Sequence, residues 1–113
     1  MPVSFCLDWG SATLKPVYGS DGARVQPWLD ALGHDISMVH LQQGDGILNR
    51  HWDFSGPGMI DPGQAAAVLA GAGLAGRPVF LEVHYPFERT DRSILAGLHQ
   101  SCAILSRAFG AGG

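Results

Sequence analysis

The sequence predicts an α/β domain made of three consecutive strand–helix units whose strands lie parallel in one sheet. Three observations lead there. Residues 3–8, 36–41 and 79–84 are short apolar runs of strand length, with the character of strands covered on both faces. Each run is followed by a segment carrying helical signals. The sixteen glycines and seven prolines bracket these segments instead of filling them. An order of βα-βα-βα calls for parallel strands joined by right-handed crossovers. The single domain divides at about 1–33, 34–76 and 77–110, with 111–113 as a flexible tail.

The first strand carries Phe5-Cys6-Leu7-Asp8 and is followed by Trp9-Gly10-Ser11 and a polar loop. A helix is expected from near Val25, with Pro27 in its first turn and Trp28, Leu29 and Leu32 along it; Gly33 suits its C-terminal cap. Ile36-Ser37-Met38-Val39-His40-Leu41 repeats the strand pattern. The polar stretch from Gln42 to about Ile60 is long for a compact domain, and such loops are often functional. Asp61-Pro62-Gly63-Gln64 supplies an N-cap, a proline at the first helical position and a capping-box glutamine. That helix runs on through Leu74 and is closed by Gly76 and Pro78. After the third strand, Thr90 or Asp91 caps a last helix whose Ile94, Leu95, Leu98, Cys102, Leu105 and Phe109 recur at three- and four-residue spacings.

Composition narrows the function. A chain of 113 residues suits one domain, and 46% hydrophobic with 15% charged residues argues against disorder. Seven Lys+Arg against ten Asp+Glu, with no basic stripe, argue against a nucleic-acid partner. No apolar run approaches the roughly 20 residues of a membrane span, and no basic-then-apolar leader is seen at the N-terminus. Cys6 and Cys102 sit in apolar patterns, which favours free thiols and a cytoplasmic location.

Each strand ends in a residue foreign to a hydrophobic core: Asp8, His40, and Glu82 with His84 beyond it. Parallel α/β sheets place their chemistry at the carboxyl ends of strands, and a buried carboxylate needs a partner or a metal. Two carboxylates and an imidazole meeting there make an oxygen/nitrogen site for Mn²⁺, Mg²⁺, Co²⁺ or Zn²⁺. Blander roles stand beside these. Asp8 could cap the turn, His40 could bond a backbone carbonyl, and Glu82 could pair with Arg50 or Arg89. His51 lies on a loop open to solvent, and His84 could line a rim.

The same residues carry a family resemblance. Phe5-Cys6-Leu7-Asp8-Trp9-Gly10-Ser11 resembles a strand end of the xylose-isomerase-like TIM barrels, which include sugar and sugar-phosphate isomerases and epimerases and the endonuclease IV enzymes. His40-Leu41-Gln42-Gln43, followed by His51-Trp52-Asp53-Phe54, is most similar to the tetrulose-phosphate (erythrulose-phosphate) isomerase branch. Gly58-Met59-Ile60-Asp61 and Leu81-Glu82-Val83 extend the likeness from about residue 3 to residue 107. The resemblance implies the last three βα units of an eight-unit barrel, acting in carbohydrate metabolism by aldose–ketose isomerisation or epimerisation of a sugar phosphate. It implies Asp8, His40 and Glu82 as ligands of a divalent metal, with Glu82 also moving the proton. Arg50, His51, Gln42 and Ser11 fall at substrate-contacting positions. Ser11 stands where the family has histidine, and Asn49 where the endonuclease branch has aspartate.

A second glutamate of such sites belongs to an earlier strand. The expected partner is therefore another copy of this chain or a complementary barrel segment, which would also cover the apolar strands. The competing functional readings are an inactive barrel segment and a protein-interaction module.

Overall fold

The computed structural model describes residues 3–14 and 21–110; part of the first loop and the tail expected at 111–113 lie outside the described residues. Its elements run β1 (Phe5–Asp8), α1 (Trp9–Ala12), α2 (Asp21–Leu32), a 3-10 turn (Gly33–Asp35), β2 (Ile36–Leu41), α3 (Pro62–Gly71), β3 (Val79–Leu81) and α4 (Asp91–Ala108). The strands form one parallel sheet in the order β1-β2-β3.

One sheet face is core. Val39 and Leu41 of β2, with Leu7 of β1, are buried against Val25 and Leu29 of α2 and Ala65 and Leu69 of α3. Trp9, at the turn out of β1, is fully buried in the same cluster. The other face carries Cys6, Asp8, Met38, His40 and Phe80, all exposed or half-buried. The pleat accounts for this division, because neighbours in a strand point to opposite sides.

Several expectations need correction. Helix α2 begins at Asp21, so Pro27 lies inside it. A proline at that depth removes a single backbone donor, and the turns before it survive. Strand β3 ends at Leu81, not His84. β2 itself stops at Leu41, so the chain beyond Glu82 has no ladder to join; the Glu82 N–H bonds the Leu41 carbonyl at 3.0 Å and the His84 N–H turns to the His51 carbonyl at 2.9 Å. Helix α3 ends at Gly71, before Leu74, where Ala72 and the left-handed Gly73 (φ +78°) turn the chain out.

On α4 the inward line includes the buried Gly97 and Ser101, flanked by half-buried Ile94, Leu98, Leu105 and Phe109, whereas Leu95 and Cys102 are exposed. Small residues sit innermost because α4 closes directly on the loop after β2. The Ser101 hydroxyl accepts the Phe54 N–H at 2.8 Å.

Candidate metal centre

Asp8 and His40 are directly paired residues of β1 and β2, and Glu82 follows β3 by one residue. Since His40 pairs with Phe80, Glu82 lies one pleat further along the same open face. The three half-buried side chains each offer a donor atom, and these atoms all lie within 4.8 Å of one another. They are the one such group among the described residues. His40 Nδ1 lies 2.5 Å from Glu82 Oε2. Two carboxylates and one imidazole form a donor set of the type that suits borderline and hard divalent cations. The residues present therefore fit a metal.

Asp8 caps the turn and also stands in the cluster. Its Oδ1 accepts the Ser11 N–H at 2.9 Å, capping α1, while the carboxylate also belongs to the cluster. Glu82 pairs with histidines and not with Arg50 or Arg89. Arg50 instead bonds Asp45 through Nε at 2.8 Å and stacks 5.5 Å from the Trp52 ring centre.

Gln42, expected at a substrate-contacting position, is engaged within the protein. It is fully buried. Its Oε1 accepts the Gly10 N–H at 2.7 Å, and its Nε2 faces Asp8 Oδ2 at 3.4 Å and His51 Nδ1 at 3.3 Å. One amide thus ties the end of β1 to the loop after β2. Ser11 is exposed and contributes its backbone to Asp8.

His51 is buried, not solvated, with φ +55°, a left-handed conformation that costs a non-glycine residue roughly 1–3 kcal/mol. Its Nδ1 lies 3.3 Å from Glu82 Oε1 and from the Glu82 carbonyl, and its ring stacks on His84 at 4.3 Å. Partial burial, then the Asp8 and Glu82 carboxylates, push the Cys6 thiol above its ordinary range. A negative field therefore covers this part of the open face, as a cation site requires.

The loop from Gln42 to Ile60 is ordered by the other glutamine. Gln43 pairs with Trp52 through two backbone bonds, and its side chain bonds both the N–H and the carbonyl of Ile60. Beside this loop lies a cluster that sequence reasoning missed. Asp53 is buried; its Oδ1 accepts the Ser55 N–H and hydroxyl at 2.9 and 2.6 Å, and its Oδ2 accepts the Tyr85 hydroxyl at 2.6 Å. Burial works to raise the Asp53 pKa, but the Ser55 and Tyr85 bonds and Arg89 outweigh it and hold the carboxyl below its usual range. Burial and the Asp53 bond push Tyr85 up to about 12. The signal in the sequence was an acidic residue between two aromatics, Trp52-Asp53-Phe54.

No family model matches the chain, and no curated protein matches it. A crystal structure from Rhodospirillum rubrum, described as a "Putative Xylose isomerase", is similar over 95% of this chain, with a TM-score of 0.83 and 34% identity. This chain spans 36% of that protein's length. The fold is therefore part of a xylose-isomerase-like TIM barrel, carrying three of its strands in one parallel sheet.

Proposed function

We propose that this chain forms the metal-holding portion of a sugar isomerase or epimerase, with a tetrulose phosphate as the favoured substrate. One observation carries the proposal: Asp8, His40 and Glu82, from three separate strand ends, bring their donor atoms within 4.8 Å. The likeness to a protein described as a xylose isomerase supports the reaction class. The sequence motif His40-Leu41-Gln42-Gln43 with His51-Trp52 supports the four-carbon substrate.

Asp8, His40 and Glu82 would hold the cation, which when bound supplies Lewis-acid polarisation of neighbouring carbonyl and hydroxyl oxygens. Glu82 takes the proton from the carbon next to the carbonyl and returns it to the adjacent carbon. His40 on Oε2 and His51 near Oε1 fix the orientation of that carboxylate. Gln42 holds Asp8 and His51 in register, and so acts as a positioning residue. A second acid/base group comes from further βα units, provided by a second copy or by another chain. The outer edges of β1 and β3 support that arrangement, since among the described residues each of the two strands pairs only with β2.

Titration with Mn²⁺ followed by calorimetry tests the site. One ion per chain is expected, with binding lost in Glu82→Gln and His40→Ala. Stoichiometric binding that survives both substitutions would refute the ligand set. Turnover of erythrulose phosphate by the assembled protein, lost in Glu82→Gln, separates an enzyme from an inactive barrel segment.

A further inference from the structure

A cavity of about 450 Å³ opens beside the cluster, between the loop after β2 and the loop after β3. Trp52, Asp53, Ser55, His84, Tyr85 and Arg89 line it. His84 is shared between the two places. It faces the cavity, and its ring stacks on His51, whose Nδ1 reaches Glu82. The cavity wall and the cluster are thus linked through the stacked histidine pair.

The walls are built in advance. Asp53 is held by three donors, and α4 presents Gly97 to it because any Cβ there would collide with Asp53 Oδ2. Arg89 is exposed and is held by its neighbours. Its Nε bonds Ser93 Oγ at 2.9 Å, one Nη2 hydrogen bonds the Ser93 carbonyl at 3.2 Å, and the guanidinium lies 5.0 Å from the Tyr85 ring centre. A guanidinium has five N–H donors. Those not committed to Ser93 have no acceptor among the described residues. A braced guanidinium with free donors is suited to an oxyanion, which it binds through a planar fork. The nearby Asp53 accepts from Ser55 and Tyr85, and Arg89 acts on it only through its charge, with no ion-pair contact between the two among the described residues.

We propose that this cavity is a subsite for the oxyanion end of the substrate, a phosphate or a carboxylate, with Arg89 as its ligand. The inference rests on the isomerase reading for what occupies the neighbouring cluster, and it fixes the substrate as an anionic sugar. His84 is the physical link: in this proposal one end of the molecule lies at Glu82 and the charged end beyond His84.

The test titrates the 113-residue chain with inorganic phosphate, acetate and erythrulose, following the Arg89 Nε–H and Trp52 indole resonances. Saturable shifts with phosphate or acetate are expected, weakened about tenfold in Arg89→Gln, a loss on the order of one ion-pair contact. Arg89→Lys, which keeps the charge without the fork, should recover part of the affinity. Tighter binding of phosphate identifies a sugar phosphate, and tighter binding of acetate a sugar acid; both support the subsite. Equal binding of neutral erythrulose, or an unchanged affinity in Arg89→Gln with a native α4 spectrum, overturns it. Mn²⁺ affinity measured on the same samples belongs to the cluster alone: its loss with anion binding retained would sink the isomerase reading and leave the subsite standing.

Discussion

A methyl group added at Gly10 would sit 2.7 Å from Gln42 Oε1, so the close approach of two strand ends depends on the absence of a side chain there. Gly10→Ala should displace the Gln42 amide, lower stability by about 1–3 kcal/mol by overpacking, and weaken Mn²⁺ binding. Urea denaturation and metal titration check the two effects separately. Tyr85 provides a pH signature. Its folded pKa, about 12, lies above the ordinary tyrosine value, so its bond to Asp53 contributes stability that is complete below about pH 10 and is lost as pH rises through 12. Asp53 has the opposite sense: its lowered pKa contributes above the usual carboxylate range and fails as pH falls through the folded value. Tyr85→Phe should remove the alkaline loss between pH 10 and 12 and cost about 1–2 kcal/mol at neutral pH. Denaturant midpoints measured across pH reveal both.

Among the elements, those with local signals were legible from sequence. Asp61 caps α3 through the N–H groups of Gly63 and Gln64, and Thr90 caps α4 through the Ser93 N–H, both where the residue types point. Thr90→Ala should cost about 1 kcal/mol in thermal unfolding. β2 also has the bounds its apolar run gives. The end of β3 was not legible, because it is set by where β2 stops and where His51 offers its carbonyl, over thirty residues away in the chain. The inner line of α4 was equally hidden, since a serine and a glycine look like surface residues until a loop closes on them. Ser101→Ala would leave the buried Phe54 N–H without its acceptor, at about 1–3 kcal/mol. An equal loss from Ser106→Ala, an exposed position on α4, would count against this account.

At the scale of the whole molecule, the accessible surface is 6703 Å², whereas a compact monomer of 12.0 kDa exposes about 6,000 Å². The open sheet face contributes to the excess, with Phe80 50% exposed. Sedimentation should therefore report a mass above 12.0 kDa at micromolar concentration, shifted toward the monomer by Phe80→Lys; a monomer at all concentrations would count against completion by a second copy. No helix among the described residues is long and apolar enough to cross a membrane. The sequence by itself determined the three βα units and the three polar strand ends, because period, caps and apolar runs are local properties. Only the tertiary structure decided that Arg50 turns to Asp45, that Gln42 serves the backbone, and that Asp53, Tyr85 and Arg89 share a cavity. The Gly10–Gln42 and Asp53–Tyr85 bonds join residues 32 positions apart and leave no periodic trace in the chain, and Arg50 and Asp45, five apart, lie in a loop that has no period to read.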